Sequence, residues 1–300
     1  MLLSKKSKAK IIKNLINGKD YRGDIISLID DLFLTYCIDF LKKVANAKIE
    51  NKNITSDWYK KEFLDHNLTK QELAINSGLN MKTITNSYNS GRKDIVIEAS
   101  EKNYDRLYNT INELIGSDED LQITLTIKFR RVSVELTISE SLIVINTLAV
   151  KRAEIRGGLW SSAGKQIEKP IMVVLCKLFN VPFEAFDQKN NPTSFREVDF
   201  YILSSNKKKL RCEVKLMGKG NPESADAIFA REPNIFIADK LSDKNKLQAD
   251  KLGVQWLQLR EENGYKKFSD ILKKLKVNFK EPSEDINRKL DKVLKEIFIN

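Results

Sequence analysis

The sequence predicts an α+β protein: a mostly helical N-terminal domain followed by an α/β unit. Three observations carry this. Apolar residues over the first 115 positions recur at helical spacing. Strict alternation of apolar and polar residues begins at Leu121. Beyond residue 155, short apolar runs alternate with helical stretches. Three hundred residues suit about two domains of roughly 100–200 residues each. The expected division is a helical domain over 1–115, a β-hairpin with a connecting helix over 116–154, and an α/β domain over 155–300.

The N-terminal helices rest on Ile25, Ile26, Leu28, Ile29, Leu32, Phe33, Leu34, Ile38 and Leu41. Asn53-Ile54-Thr55-Ser56-Asp57 is a loop that ends in helix-starting residues. Residues 69–89 hold two short helices, and Ser100 to Leu114 forms another, closed by Gly116-Ser117. Leu121–Lys128 and Val132–Ile138 alternate on either side of Phe129-Arg130-Arg131, as in a hairpin. Ser139-Glu140 opens an apolar helix to about Lys151, which Gly157-Gly158 brings to an end. Ser161–Phe179 is a helix with Ile167, Ile171, Val174, Leu175 and Leu178 inward. Strands are expected around Phe183 and at Val198–Leu203, Leu210–Met217, Ile235–Ala238 and Val254–Leu257. Asn221-Pro222-Glu223 starts a helix. Helices cover Lys244–Leu252 and Glu284–Ile297.

Composition narrows the function. The chain is 41% hydrophobic and 31% charged, enough apolar material for a core and too much for a disordered chain. No run reaches the roughly 18 apolar residues of a membrane span. Met1-Leu2-Leu3 leads at once into Lys5, Lys6, Lys8 and Lys10, so no secretory segment is expected. Cys37, Cys176 and Cys212 form no paired framework, which suits a reducing cytoplasm. A lone histidine, His66, excludes zinc sites built on several histidines. The net charge of +11 is concentrated in two blocks: +5 over 1–100, −3 over 101–150 and +9 over 151–300. Such a balance fits a polyanionic partner, nucleic acid first.

The chemistry-bearing segment is Arg196–Leu203, a turn at Ser204–Lys209, and Leu210–Met217. Val198, Phe200, Ile202, Leu210, Cys212, Val214 and Leu216 fall on one face. Glu197, Asp199, Tyr201, Arg211, Glu213 and Lys215 fall on the other. A turn centred on Asn206 sets Asp199 opposite Glu213 and Glu197 opposite Lys215, with paired Cβ atoms about 4.5–5.5 Å apart. Two facing carboxylates repel, and a divalent cation between them removes the conflict. Mg²⁺ commonly sits on one or two carboxylates with waters and substrate phosphate oxygens.

Asp199, a spacer and Glu213-Val214-Lys215 resemble the PD-(D/E)XK nuclease core of restriction and repair endonucleases. Val198 stands where the name-giving proline would be. The resemblance covers about residues 155–260. It implies a mixed-sheet α-β-β-β-α-β core, metal binding by Asp199 and Glu213, and water activation by Lys215. Glu168, on the preceding helix, matches a further acid that these enzymes often carry. Lys219, within Gly218-Lys219-Gly220, is a candidate phosphate contact.

Thr69–Asn86 resembles a helix-turn-helix. Ala74 is the small residue at the crossing, Gly78 the turn, and Leu79 and Ile84 point inward. A recognition helix from about Asn80 would present Lys82, Thr83, Thr85, Asn86 and Asn89 to DNA, with Arg92 and Lys93 on phosphates. Tyr88 lies one residue from the usual final apolar position.

Other residues read as structural. His66 falls at a helix end or in a loop, and Cys176, Cys212, Trp160 and Trp256 in the core. Arg130-Arg131 and Lys207-Lys208-Lys209 read as solvated turns, and Arg231 is a possible contact to the DNA backbone. The expectation is a type II restriction endonuclease using Mg²⁺, acting on double-stranded DNA as a cytoplasmic homodimer with no nucleotide cofactor. The alternatives are a repair or recombination nuclease with the same core, or a non-catalytic helix-turn-helix regulator.

Overall fold

The computed structural model describes residues 3–50, 55–117, 124–187, 200–216, 228, 231–283 and 285–298, with Ser161 as backbone only. The chain folds into two compact units. Residues 1–26 and 159–300 form one, and residues 27–158 form the other. The N-terminal 26 residues thus fold with the C-terminal half, and the hairpin of 116–154 folds with the helices. The α+β class is as expected.

The 27–158 unit is built on helices α2 (Arg22–Ile49), α3 (Ser56–Phe63), α4 (Lys70–Asn76), α5 (Met81–Tyr88) and α6 (Lys93–Ser117). Strands β1 (Leu125–Phe129) and β2 (Val132–Leu136) complete it, with the start of α7 (Ile138–Leu178). Phe40, Val44, Tyr59, Phe63, Leu73, Ile84, Val96, Tyr104 and Leu136 are buried in one core. α6 starts at Lys93 rather than Ser100, about two turns earlier, because Val96 and Ala99 extend its buried face. The β1–β2 hairpin closes on Arg130 and Arg131, at φ 50° and 65°. Two residues in the left-handed region give the twist a two-residue hairpin needs.

α7 corrects the sequence reading. It continues through Gly157-Gly158 and carries Pro170 in its interior. Glycine costs a helix only about 1 kcal/mol relative to alanine. Ile155 and Leu159, which flank the pair, are both buried and hold the helix in register.

The other unit contains α1 (Lys5–Ile16), the rest of α7 and a four-stranded mixed sheet. Its strands are β3 (Phe200–Leu203), β4 (Lys209–Lys215), β5 (Ile235–Ala238) and β6 (Gln255–Gln258), adjacent in that order. β3 and β4 are antiparallel; β4, β5 and β6 are parallel. α8 (Phe183–Phe186) precedes β3, α9 (Asp243–Lys251) links β5 to β6, and α10 (Lys267–Lys274) and α11 (Ile286–Phe298) follow. Phe183 is therefore helical and not in a strand. Pro182 precedes it with φ −55°, and Ala185 N–H donates to the Pro182 carbonyl at 3.0 Å, closing a turn.

The inward residues of α7 named above are buried, as are Phe200, Ile202, Leu210, Cys212, Val214, Ile235 and Ile237. Ile228, Phe236, Ala238, Ala249 and Val254 form a further cluster, with half-buried Trp256 against it. Trp160 is half-buried too, so neither tryptophan lies in the core proper. Asn221-Pro222-Glu223 lies outside the described residues. No helix among the described residues is long and apolar enough to cross a membrane.

Candidate active site

The β3–β4 hairpin turns tightly. Ser204 Oγ accepts from Lys208 N–H at 3.1 Å, and Lys207 takes φ 61°. That turn sets the register. Phe200 pairs with Cys212, Tyr201 with Arg211 and Ile202 with Leu210, which is the alignment expected from a turn at Asn206. Asp199 and Lys219 lie outside the described residues.

The polar face of β4 is not a solvated one. Glu213 is 1% exposed. Lys215 Nζ lies 3.1 Å from Glu213 Oε1 and 3.7 Å from Glu168 Oε1, which α7 carries in. Arg231 Nη1 contacts the same Glu213 oxygen. Glu168, Glu213 and Lys215, expected in one site although Glu168 lies far from the other two in the sequence, share one cluster. Burying a carboxylate without such partners costs several kcal/mol, by order of magnitude. Alternation alone gave no sign that this face is covered. Arg231 was expected only as a possible backbone contact, and a pairing across 18 residues leaves no local pattern.

A second charged cluster lies at the carboxyl ends of the same strands. Lys215 ends β4 and pairs with Ala238, and Asp239 follows at the end of β5. Arg260, just past β6, lies 2.9 Å from Asp239 Oδ1 and 2.6 Å from Asp20 Oδ2. The Arg260–Asp239 approach is off the hydrogen-bond direction, so neither Asp239 oxygen has a hydrogen-bond partner among the described residues. Burial holds the Asp239 carboxyl above the usual carboxylate range, opposed by the Arg260 charge. The Arg22 side chain, hydrogen-bonded to Asp20, holds that carboxyl well below it. Tyr21 donates its hydroxyl to the Leu216 carbonyl at 2.8 Å, and burial pushes the phenol up to about 12. The crevice beyond carboxyl strand ends is where open α/β sheets bind ligands. None of Asp239, Arg260, Asp20, Arg22 and Tyr21 was singled out in the sequence. The available signal was a charged residue directly after a short apolar strand, at Asp239 and again near Arg260.

In the other unit, Thr69 and Glu72 form a reciprocal capping box on α4. Ala74 is fully buried, Gly78 turns with φ 86°, and Asn80 caps α5 through Thr83 N–H. A side chain at Gly78 would be strained and would also meet Asn146 Nδ2 at 2.9 Å. Ile84 is buried. Lys82, Thr83, Thr85, Asn86, Asn89, Arg92 and Lys93 are all exposed. Asn89 ends the helix at φ 48°, and Arg92 pairs with Asp94 at 3.1 Å. The remaining expectations are readily placed. His66 sits in an exposed turn beside Glu101, Cys176 and Cys212 are buried free thiols, and Lys207 and Lys208 lie in the exposed hairpin loop while Lys209, also exposed, is the first residue of β4.

The sequence model of one family, the CfrBI restriction endonuclease, matches residues 5–246. The chain belongs to the CfrBI restriction endonuclease family. The match spans Glu168, Glu213, Lys215 and Arg231 as well as α4 and α5. It makes the protein a type II restriction endonuclease, a site-specific deoxyribonuclease whose substrate is DNA, rather than a repair nuclease or a regulator. No curated protein and no solved structure matches the chain.

Proposed function

We propose that this restriction endonuclease makes Mg²⁺-dependent double-strand cuts at a short DNA sequence through a PD-(D/E)XK-type site. Asp199 and Glu213 are the metal ligands, Lys215 acts on the attacking water, and Glu168 assists. The observation that carries the reading is the meeting of Glu213, Glu168 and Lys215 within 4.0 Å contacts at the end of β4. The hairpin register, continued by one residue, supports placing Asp199 opposite Glu213.

The donor set suits a hard cation. Among the described residues no three metal-ligating side chains cluster. The two carboxylates match the one or two that Mg²⁺ takes before water and phosphate complete its shell. A divalent cation there supplies charge for the phosphate and a water of lowered pKa. Lys215 places an ammonium beside Glu213 and Glu168, within reach of that water or of the scissile phosphate. No covalent nucleophile is required.

In this proposal α4 and α5 read the DNA. Lys82, Thr83, Thr85, Asn86 and Asn89 contact bases and phosphates, and Arg92, Lys93 and Lys219 grip the backbone. The buried Ala74 and Ile84 and the exposed outer face of α5 support this. A two-fold recognition sequence calls for a homodimer. Three free cysteines, two of them buried, suit the cytoplasm.

The test is plasmid DNA incubated with the purified protein in Mg²⁺ and in EDTA. Discrete metal-dependent fragments are expected. Binding without cutting, or equal cutting in EDTA, overturns the mechanism.

A further inference from the structure

We propose that Arg231 exchanges partners during the reaction: it neutralises Glu213 while no cation is bound, and turns to a DNA phosphate once Glu213 is engaged. This rests on the assignment of Glu213 as a metal ligand.

The charges motivate the exchange. Glu213 Oε1 faces two cations, Lys215 Nζ at 3.1 Å and Arg231 Nη1, while Lys215 is shared with Glu168 at 3.7 Å. Those four residues sum to zero, and Asp199 of the proposed site adds a further negative charge. Take Arg231 away and a net negative charge remains around a carboxylate whose side chain is 2% exposed. Bring a divalent cation to Glu213 and the same oxygen must choose between it and the guanidinium.

Exposure shows which partner can move. The Arg231 side chain is 39% exposed, against 17% for Lys215 and 2% for Glu213. Lys215 is fixed by its place within β4, whereas Arg231 lies in the connection between β4 and β5. A guanidinium leaving Glu213 meets a phosphodiester as the new negative charge in the loaded site. Its planar fork fits two phosphate oxygens at once. Metal binding and DNA binding thereby become coupled: each removes part of the cost of the other.

The test uses the full chain and the variants Arg231→Gln, Arg231→Lys and Glu213→Gln. Mn²⁺ is titrated calorimetrically without DNA, and single-turnover cleavage is measured in Mg²⁺. Arg231→Gln is expected to bind Mn²⁺ about tenfold more tightly than the wild type, a change of about 1.4 kcal/mol. It is expected to cut about 10²-fold more slowly, the scale of losing one preorganised donor. Arg231→Lys, which keeps the charge and loses the fork, should retain the weak Mn²⁺ binding and still cut slowly.

Unchanged or weaker Mn²⁺ binding in Arg231→Gln overturns the exchange and leaves Arg231 as a prop for Glu213. Tighter binding with undiminished cutting overturns the phosphate contact. Wild-type Mn²⁺ binding in Glu213→Gln overturns the metal site itself, and is read independently of Arg231.

Discussion

The end of β4 and the outer face of α5 use charge in opposite ways. Around Glu213 the ionisable groups are held by one another, with Glu213, Glu168, Lys215, Asp239 and Arg260 largely withdrawn from water and Arg231 and Asp20 partly exposed. On α5, Lys82, Thr83, Thr85 and Asn86 stand in solvent on a helix anchored by the buried Ile84, with Met81 packed against the same core. Charges that stabilise a transition state are worth most in a dry, preorganised setting. Groups that read bases must stay accessible until DNA arrives. The two regions should therefore fail in different ways when altered.

The sharpest contrast comes from removing one residue on each side. Lys215→Ala should lower the cleavage rate by at least about 10²–10³-fold, the scale for a lost transition-state donor. DNA affinity, measured in EDTA, should stay within a few-fold. Asn86→Ala should do the reverse, costing about 1–3 kcal/mol of discrimination between sites while cutting at saturation continues. Lys82→Ala should weaken binding to all sequences and reduce the salt slope by about 1. Fluorescence titrations at several salt concentrations, with gel-based rates, check all three. Equal losses of rate and of affinity in Lys215→Ala would erase the contrast.

The same contrast explains what could be read in the sequence. Leu210, Cys212 and Val214 against Arg211, Glu213 and Lys215 is a period-two pattern, and the turn at Asn206 fixes its register. The α4–α5 pair is legible because Thr69, Gly78 and Asn80 do local backbone work. What stayed hidden depends on distance or on competition. Arg231 reaches Glu213, and Arg260 reaches Asp239 and Asp20, through the tertiary fold. The burial of Glu213 depends on what covers the strand, which alternation does not encode. Phe183 followed Pro182 into a helical turn because one short apolar stretch fits either state.

Asp239 sharpens the comparison through pH. Its carboxyl titrates above the usual range because it is buried, with Arg260 opposing. A raised acid keeps its proton longer in the folded chain than in the unfolded one, so the cost to stability sets in above the ordinary carboxylate value, grows up to the raised folded-state value and is constant beyond it. Below the ordinary carboxylate range it is neutral in both states and costs nothing. Asp239→Asn should therefore melt with the wild type at low pH, gain on it as pH rises from the ordinary carboxylate value to the raised folded-state value, and hold that gain above it. Thermal melts across pH 3–8 of both proteins, spanning roughly the carboxylate range and beyond, read the difference. A gain that shrinks with rising pH would show that the Arg260 attraction outweighs burial.

The smallest expected effect concerns the helix that bears Glu168. Gly157 and Gly158 lie inside α7, and an added Cβ at either would meet nothing within 4 Å. They neither end the helix nor make room for a neighbour, so alanine is compatible with both positions. Each Gly→Ala change should stabilise the protein by about 0.5–1 kcal/mol, through helix propensity and a less flexible unfolded chain. Denaturant melts measure that gain. Mg²⁺-dependent cleavage should be unchanged, because Glu168 meets Lys215 further along the helix. A stability gain with lost cleavage would mean that the reaction needs α7 to bend at this glycine pair.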